Sequence, residues 1–357
     1  MSVPSSALYA GILAQPGALR AVLGTQDAAA RTAAEALVGH RVWLVGTGTS
    51  LHAAQIGAHM LRQAGLHATA VGSLEFVYYP RPLSPEDAVV VISHTGATTF
   101  AREALASASG AGAATVVVTG LGSSFGEGTL RLFTTTAETS ATYTVSYLAA
   151  LMALALTAAY TGDLMGRSLR EWSAALSTIP GAVEDLLARE ETVRASAEVL
   201  AVRRRLVLVG AGPNAATARE GALKVKESCY VVAEGFEVET FLHGCLQAVE
   251  AGDLAVVIAV AGPALNRLGD AARALALVGA RLLQVADPAG EAALAETANS
   301  AASIVRVPSM PEALSPIVTT VPLQLLAALT AAALGTNADD FRCGEPRFGQ
   351  AYAELTL

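Results

Sequence analysis

The sequence has little of several residue types that mark common classes of protein. Of its 357 residues, 23 are lysine or arginine and 31 are aspartate or glutamate, so the formal net charge is −8. A protein that binds a nucleic-acid backbone needs a basic face, so nucleic acid is not expected as a partner. The three cysteines, Cys229, Cys245 and Cys343, fit neither a disulfide framework nor the ligand spacing of a zinc site. We therefore expect a cytoplasmic protein that holds no metal.

The glycine patterns of nucleotide-binding loops are also missing. Gly46 and Gly48 resemble the start of a dinucleotide-binding turn, but Leu51 stands where the third glycine would be. Neither lysine of the chain follows a glycine, so the phosphate loop of nucleoside triphosphatases is absent. We expect no nucleotide and no other cofactor. A nucleotide-dependent oxidoreductase is the weaker alternative, which tight binding of NAD would support.

Two long uncharged runs do not have the composition of membrane spans. No charged residue occurs in 139–162 or in 313–338. The first run begins with several hydroxyl residues and the second contains Pro316 and Pro322, whereas a spanning helix prefers about 20 mainly apolar residues. We predict that both runs form buried helices of an α/β core. The amino terminus also lacks the basic start and apolar run of a signal peptide, so no membrane association is expected.

The chain contains two copies of one pattern. Apolar residues make up 53% of the sequence, and the length favours two domains. In each copy, a short apolar run enters a Gly-x-Gly turn and an alanine-rich helical stretch follows. Continuous Val, Ile and Leu runs are typical of parallel strands that are covered on both faces. The paired runs lie at 41–45 and 205–209, 88–93 and 254–260, 113–119 and 280–286, and 130–135 and 303–307.

The repeated pattern predicts an α/β protein with two tandem doubly wound parallel-sheet domains. The expected segments are a lead-in helix at 1–35, a first domain at 36–165, a helical linker at 166–200, a second domain at 201–335 and a tail at 336–357. Open parallel sheets bind ligands outside the carboxyl ends of their strands. The chemistry is therefore expected in the turns after Val45, Ile92 and Val209.

The densest group of hydroxyl side chains comes directly after a predicted strand. Ser93, Thr95 and Thr98 lie within six residues, with His94 and Gly96 between them. Free backbone N–H groups at a helix amino terminus favour a dianion, and hydroxyls supply further donors. One hydroxyl is enough to cap a helix, so three favour an anion site over capping alone. His94 is a candidate hydrogen-bond donor.

A smaller group of hydroxyls follows the first Gly-x-Gly turn. Thr49 and Ser50 come directly after Gly48, at the start of a predicted helix. Both an anion site and ordinary helix capping fit these two residues equally well.

The only two lysines of the chain, Lys224 and Lys226, lie two residues apart in a predicted helix. Lysine differs from arginine as a compact charge whose pKa can be shifted. On a helical period Glu220, Lys224 and Glu227 fall on one stripe. A solvated face with ordinary ion pairs is one interpretation. The other is a proton-transfer site that includes His243, the only histidine in the last two-thirds of the chain.

Together these residues resemble the SIS (sugar isomerase) family, in particular tandem-domain members such as the isomerase half of glucosamine-6-phosphate synthase. The resemblance extends over nearly the whole chain and implies SIS-type, flavodoxin-like domains. The matching pieces, in chain order, are Gln15-Pro16, Gly48-Thr49-Ser50, Ser73-Leu74-Glu75-Phe76, Ser93-x-Thr95-Gly96-x-Thr98, Glu138-Thr-Ser140, Glu220-Gly-Ala-Leu-Lys-x-Lys-Glu227 and His243-Gly244.

The resemblance implies a role for each group of residues. Glu227, beside Lys224, is the base that moves a proton between C1 and C2 of the sugar; burial would raise its pKa and Lys224 would lower it. His243 assists ring opening and often reaches the neighbouring subunit's site, which implies a homodimer. The first domain holds the sugar phosphate through Gly48, Thr49, Ser50, Ser93, His94, Thr95, Gly96 and Thr98.

The sequence departs from the family pattern in its tail. The resembled synthase has a lysine near its carboxyl terminus that acts at the sugar carbonyl, whereas no lysine follows Lys226 here. Arginine stays protonated and cannot form a Schiff base, so Arg342 is a tail candidate without an imine-forming role. We expect no glutaminase domain and no release of ammonia from glutamine.

These features predict an isomerase or deaminase that acts on a hexose or amino-hexose 6-phosphate without metal or cofactor. The alternative is a sensor module that binds a sugar phosphate and has lost turnover. Thermal stabilisation by a phosphosugar without reaction would select the sensor.

Overall fold

The computed structural model describes residues 5–126, 128–167 and 169–355. The first four residues of the predicted lead-in, Ser168 of the predicted linker and the last two residues of the tail lie outside this part. The chain forms two compact units, each built on one five-stranded sheet. The first unit comprises Ala14–Glu138, Tyr143–Pro180 and Gly349–Leu357, and the second comprises Met1–Leu13, Thr139–Thr142 and Gly181–Phe348.

The sheet of the first unit is parallel throughout. Its strands are β1 (Arg41–Gly46), β2 (Ala68–Gly72), β3 (Asp87–Ile92), β4 (Ala114–Thr119) and β5 (Leu130–Phe133). They pair in the order β2-β1-β3-β4-β5. Every residue of β3 is buried, as expected for a central strand that is covered on both faces.

Two groups of helices cover this sheet. The helices of this part of the chain are α1 (Ala7–Thr25), which has residues in both units, α2 (Asp27–Leu37), α3 (Thr49–Gln63), α4 (Ser73–Tyr78), α5 (Thr99–Gly110) and α6 (Val145–Leu164). α2 and α3 pack against α6, while α4 packs against α5. The apolar side chains of α5 join those of the central strands in one core around Val89 and Val117.

The second unit repeats the same plan. Its strands are β6 (Arg205–Gly210), β7 (Val232–Glu237), β8 (Leu254–Ala259), β9 (Arg281–Ala286) and β10 (Ala301–Arg306). They are parallel and pair in the order β10-β9-β8-β6-β7, so both sheets have the flavodoxin-type order. The later helices are α7 (Arg170–Leu187), α8 (Glu191–Arg203), α9 (Asn214–Cys229), α10 (Val238–Leu242), α11 (Leu265–Leu277), α12 (Pro288–Leu294), α13 (Pro316–Leu334) and α14 (Pro346–Ala353).

The two uncharged runs form α6 and α13. By length and composition, α6 and the stretch Glu312–Leu334 that contains α13 could cross a membrane. However, 89% and 83% of their most apolar 18-residue windows are buried within the fold. The prediction that both runs form buried core helices is therefore confirmed.

The sequence analysis missed two strands and one helix break. β2 and β7 are edge strands with partly exposed residues, so neither has the continuous apolar run that identified the other eight. The single lead-in helix is also wrong, because α1 and α2 are separate helices on either side of Gln26. The buried Gln26 side-chain oxygen accepts a hydrogen bond from the backbone N–H of Phe133 at 2.8 Å, which fixes the break.

β7 approaches α9 closely at Gly235. A Cβ atom at this position would lie 2.4 Å from the backbone oxygen of Ala218 and 2.4 Å from the backbone nitrogen of Arg219. Backbone atoms cannot move aside as the end of a flexible side chain can. A methyl group here would therefore push β7 away from α9.

We expect Gly235→Ala to lower the free energy of unfolding by about 1–3 kcal/mol, because the strand and the helix must separate to admit the methyl group. Gly181→Ala is the control, since Gly181 lies in α7 with open space around its Cβ position. It should be neutral or up to about 1 kcal/mol stabilising through helix propensity. Urea denaturation followed by circular dichroism measures both. A Gly235→Ala variant as stable as the wild type would contradict the close contact.

Candidate functional site

The switch point of the first sheet lies between β1 and β3. After β1 the chain crosses to β2 on one side of the pair, and after β3 it crosses to β4 on the other side. The connections that follow these two neighbouring strands therefore run in opposite directions and leave a crevice between them. We call the space at the carboxyl ends of β1 and β3 the first crevice. Both predicted hydroxyl turns begin here, one after β1 and one after β3.

A small cavity opens at this edge of the first sheet. Thr49, Ser50 and His94, all predicted from the sequence, line it. Thr134, Ser146 and Tyr147 also line it and were not predicted as site residues. Thr134 directly follows β5, and Ser146 and Tyr147 lie in the first turn of α6; the only sequence signal for the last two is the cluster of hydroxyls that opens the first uncharged run. The remaining lining residues are Ala53, Ile92, Val118, Tyr143 and Ala150.

The turn after β3 is organised around the Ser93 hydroxyl. Ser93 Oγ accepts the backbone N–H of Gly96 at 3.2 Å and lies 3.3 Å from Thr98 Oγ1. Thr95 Oγ1 accepts the N–H of Ala97 at 3.1 Å. Thr98 stands at the N-cap of α5, yet within the described residues its side chain makes no capping hydrogen bond. Helix capping alone therefore does not account for these hydroxyls.

Side chains outside the turn hold it in place. The buried Thr119 hydroxyl donates to the carbonyl oxygen of Ser93 at 2.7 Å. Arg102 donates from Nε to the carbonyl oxygen of Gly96 at 2.8 Å and from Nη2 to Ser124 Oγ at 2.8 Å. Arg102 thus places a positive charge beside the hydroxyl turn, a contribution that the sequence analysis missed.

Gly48 shapes the start of α3. At the N-cap of this helix it has φ +55°, in the left-handed region that side chains rarely adopt. This conformation places Thr49 and Ser50 in the first turn of α3, where the N–H of Ser50 donates to the carbonyl oxygen of Thr47 at 3.1 Å. The helix therefore begins directly at the cavity.

His94 is an uncharged member of the cavity wall at neutral pH. Burial lowers the pKa of His94 below its ordinary value, while the charge of Glu138 and a hydrogen bond to the backbone at Thr136 oppose this shift. Its Nδ1 lies 3.5 Å from Thr134 Oγ1, and its ring meets that of Tyr143 edge to face at 5.4 Å between centroids. His94 offers an anion a hydrogen bond rather than a positive charge.

Glu138 fixes the start of α6. Its carboxylate accepts the backbone N–H groups of Thr144 and Ser146, each at 2.9 Å, and also the Ser146 hydroxyl. A negative charge at a helix amino terminus is stabilising. Glu138 therefore positions the helical turn that carries Ser146 and Tyr147 into the cavity wall.

The lysine helix of the second unit is buried rather than solvated. Lys224 Nζ lies 2.7 Å from Glu227 Oε2 and 3.4 Å from Glu220 Oε1. The side chains of Lys224 and Glu220 are 1% and 0% exposed, and that of Glu227 is 18% exposed. The interpretation as a solvated face is wrong, because α9 packs against α13, β6 and β7. Of the two lysines, only Lys226 is exposed.

The ion cluster ends at a side chain that keeps partial exposure, although its Oε2 atom is buried against Lys224. Glu220 is fully buried beside Lys224, whereas Glu227 retains partial exposure. A neighbouring cation favours the ionised form of a carboxylate. Glu227 therefore has the arrangement of a base that is held in place by a buried positive charge.

His243 lies on the exposed surface beyond α10. Its side chain is 72% exposed, and its Nε2 lies 2.8 Å from Glu239 Oε1. Arg267 donates to both oxygens of the same carboxylate, at 2.7 and 3.0 Å. The hydrogen bonds from Arg267 and His243 lower the pKa of Glu239 to about 2. The described contacts of His243 are thus with this surface group, and Glu227 is not among them.

Arg342 of the tail is held by internal contacts. Its Nε and Nη2 donate to the two oxygens of Glu345 at 2.8 and 2.9 Å. Its guanidinium also lies 4.6 Å from the ring centre of Tyr230, directly after α9, and 4.1 Å from that of Phe348. This hydrogen bonding raises the pKa of Arg342 further, so the group stays a cation.

No group of three or more His, Cys, Asp or Glu side chains suited to a metal ion occurs in the described part of the chain. Burial raises the pKa of the Cys229 thiol to about 12, so this residue of α9 is an unreactive core side chain. Cys343 is exposed and Cys245 is partly buried.

The chain matches a known family over both sheets. Residues 38–160 and 199–334 each match the SIS domain model. Together the two segments cover well over half of the chain, so the protein belongs to the SIS domain family. The sequence prediction of this family and of two doubly wound α/β sheets is confirmed.

The similar sequences include aminotransferases that are longer than this chain. Glutamine–fructose-6-phosphate aminotransferase [isomerizing] of Gloeobacter violaceus is 33% identical over 315 residues, which cover 85% of this chain and 50% of that protein. The Pyrococcus horikoshii protein of the same name is 30% identical over 339 residues, covering 92% and 55%. The chain therefore spans about half the length of these relatives.

Solved structures share the fold over nearly the whole chain. The C-terminal domain of glucosamine-fructose-6-phosphate aminotransferase from Francisella tularensis has a TM-score of 0.83 at 20% identity, covering 94% of this chain and 98% of that one. Tagatose-6-phosphate ketose/aldose isomerase from Escherichia coli has 0.73 at 19%, covering 93% and 95%. Glucosamine-6-phosphate deaminase from Thermotoga maritima has 0.70 at 20%, covering 94% and 97%.

We expect Lys224→Met to lower the free energy of unfolding by about 3–5 kcal/mol, because it removes the cation from beside a fully buried carboxylate. Lys226→Met is the matched control on the same helix; its exposed side chain predicts a change within about 0.5 kcal/mol. The double variant Glu220→Gln/Lys224→Met should recover much of the loss, since neither charge is then buried. Urea denaturation measures all three. Equal stability of the two single lysine variants would contradict the buried ion cluster.

Proposed function

We propose that the protein is a phosphosugar enzyme, an aldose–ketose isomerase or an amino-sugar-phosphate deaminase, that acts on a hexose or amino-hexose 6-phosphate. The observation that carries this proposal is Glu227, a partly exposed carboxylate held at 2.7 Å by the buried Lys224. The names of the similar proteins, which include a ketose/aldose isomerase and a deaminase of phosphorylated sugars, support the same class of reaction.

We assign the phosphate to the first crevice. A sugar phosphate is a dianion, and Ser93, Thr95 and Thr98 offer hydroxyl donors beside the amino terminus of α5. Gly96 supports this turn by donating its backbone N–H to Ser93 Oγ, and Gly48 belongs to the turn after β1 that carries Thr49 and Ser50. Holding the phosphate restricts the motion of the sugar chain, which lowers the entropic part of the barrier.

We assign proton transfer to Glu227. After the sugar ring opens, the carbon next to the aldehyde, C2, carries an acidic hydrogen. Glu227 removes it as a proton, the electron pair forms an enediol or enolamine, and the same carboxylate returns the proton to C1. For a 2-amino sugar the product is a C2 imine, which water converts to the ketose and ammonia. Lys224 favours the ionised form of Glu227 before it takes the proton from C2, and it holds the carboxylate in place.

We assign ring opening to His243, acting within a homodimer. Its imidazole is 72% exposed and is oriented by the hydrogen bond to Glu239, so it is available to a second chain. Family resemblance supports this role, because the matching histidine there assists ring opening at the neighbouring subunit's site. Loss of the imidazole should therefore slow reaction of the cyclic sugar more than proton exchange of the open chain.

The proposed proton transfer predicts exchange of carbon-bound hydrogen with solvent. In D2O the protein should place deuterium at C1 or C2 of fructose 6-phosphate or glucosamine 6-phosphate, as followed by proton NMR. Glu227→Gln should reduce the rate by about 10²–10⁴-fold, because an amide cannot accept the proton. Ser93→Ala/Thr98→Val should act mainly through KM, raising it by about tenfold or more through lost phosphate hydrogen bonds.

Glu234→Gln is the matched control for the loss of a carboxylate, since Glu234 is an exposed residue of β7 in the same unit. It should leave the exchange rate unchanged. The enzymatic proposal fails if a broad panel of phosphosugars shows no exchange and Glu227→Gln behaves as the wild type.

A sugar-phosphate sensor is the second candidate function. The tail supports it, because no lysine follows Lys226 and Arg342 is already held by Glu345 and two aromatic rings. A rise in melting temperature with a phosphosugar, lost in Ser93→Ala/Thr98→Val and without any deuterium exchange, would select the sensor over the enzyme.

A further inference from the structure

The two sheets correspond residue by residue around their switch points. β1 pairs Val45 with Val91 of β3, and β6 pairs Val209 with Val257 of β8. Counting from these pairs aligns the turns that follow. The corresponding residues, first sheet before second, are Gly48 and Gly212, Thr49 and Pro213, Ser50 and Asn214, Ser93 and Ala259, Thr95 and Ala261, Gly96 and Gly262, and Thr98 and Ala264. We call the space at the carboxyl ends of β6 and β8 the second crevice.

The second crevice has none of the hydroxyls of the turn after β3. Alanine stands at each of the three corresponding positions, Ala259, Ala261 and Ala264. Ala264 and Thr98 both occupy the N-cap of the following helix, which supports the alignment. Pro213, at the position of Thr49, also removes a backbone N–H group. The second crevice therefore offers far fewer donors to an anion.

The remaining polar side chain of the turn after β6 is already bonded. Asn214 is 1% exposed; its Nδ2 donates to Ser315 Oγ at 2.8 Å, and its Oδ1 accepts the Thr319 hydroxyl at 2.7 Å. Ser50, at the corresponding position, instead lines the cavity of the first unit. In the second unit this amide serves to hold the start of α13.

A carboxylate of the chain lies in the second crevice. Cβ atoms placed on Gly262 and Gly212 would lie 2.4 and 3.2 Å from the same oxygen, Glu312 Oε1, so this oxygen touches the turns after both strands. Ser315 holds the turn that carries it, because its hydroxyl donates to the Glu312 carbonyl at 2.8 Å. The acidic residue before α6, Glu138, instead caps its own helix.

Glu312 lies there without a compensating cation. Burial raises the pKa of its carboxyl group, and no salt bridge to it occurs within the described ranges 5–126, 128–167 and 169–355. A half-buried carboxylate that lacks a cation repels a second anion, and its volume takes the place that a phosphate would need.

We propose that Glu312 is a built-in anion that closes the second crevice to phosphate, so that the chain takes its phosphosugar in the first crevice alone. Open parallel sheets bind ligands at the carboxyl ends of the strands beside the switch point, and the two sheets have the same strand order. The side chains therefore determine which crevice binds phosphate: hydroxyls line the turn after β3, whereas a carboxylate lies against the turns after β6 and β8. The identity of the ligand rests on the proposed function, whereas the closure of the second crevice to anions is independent of catalysis.

Titration with inorganic phosphate tests this assignment on the full chain. The protein is labelled with 15N-glycine, which reports on 32 residues including Gly96, Gly212 and Gly262. In the wild type, phosphate should shift the amide signal of Gly96 and leave those of Gly212 and Gly262 in place. In Glu312→Ala the two second-crevice signals should also shift and saturate, with affinity there raised at least about tenfold.

Glu296→Ala is the matched control, because it removes the same charge from a side chain of the second unit that is 76% exposed. It should behave as the wild type. The role of Glu312 is overturned if phosphate shifts the Gly212 and Gly262 signals of the wild type. It is also overturned if phosphate leaves these signals in place in a Glu312→Ala variant that melts at or above the wild-type temperature. Failure of the proposed phosphate site is seen separately, as a Gly96 signal that does not respond.

Discussion

A parallel sheet brings the carboxyl ends of all its strands to one edge, and the rest of this structure depends on that constraint. In both units the chain leaves two adjacent central strands in different directions, so a crevice forms between their ends. Each following helix also begins there, with its backbone N–H groups directed at the crevice. The backbone thus creates two equivalent crevices, and side chains alone determine what each can bind.

The two units use this common backbone for different chemistry. In the first, Ser93 and its neighbouring hydroxyls form the turn after β3, and burial lowers the pKa of His94, which lines the cavity of this unit. In the second, Glu312 lies against the turns after both central strands, and the proposed base, Glu227, lies further along α9. Burying the cation of Lys224 costs several kcal/mol unless carboxylates accompany it, so Glu220 and Glu227 must stay beside it. In the proposed function, the first unit holds the anion and the second supplies the base.

Sequence patterns predicted the strands and helices that are fully buried. They did not predict the features that depend on contacts between distant parts of the chain. Strands covered on both faces have continuous apolar runs, whereas the edge strands β2 and β7 have partly exposed residues and no such run, and were missed. The closely spaced hydroxyls after β3 predicted Ser93 and Thr98 as site residues, which are not among the residues that line the cavity, whereas Ser146 lines it only through the packing of α6. The spacing of Glu220 and Lys224 is the same on a solvated and on a buried helix, so only the contacts of α9 show that it is buried.

The central claim is that the same switch point binds phosphate in one unit and excludes it in the other. A crystal structure with sorbitol 6-phosphate, an open-chain hexose phosphate that cannot isomerise, tests it most directly. We predict phosphate oxygens on the hydroxyls of Ser93, Thr95 and Thr98, with the Glu312 carboxylate still against Gly212. Phosphate density in the turn after β6, or its absence from the turn after β3 in a complex that binds the ligand, would contradict the account.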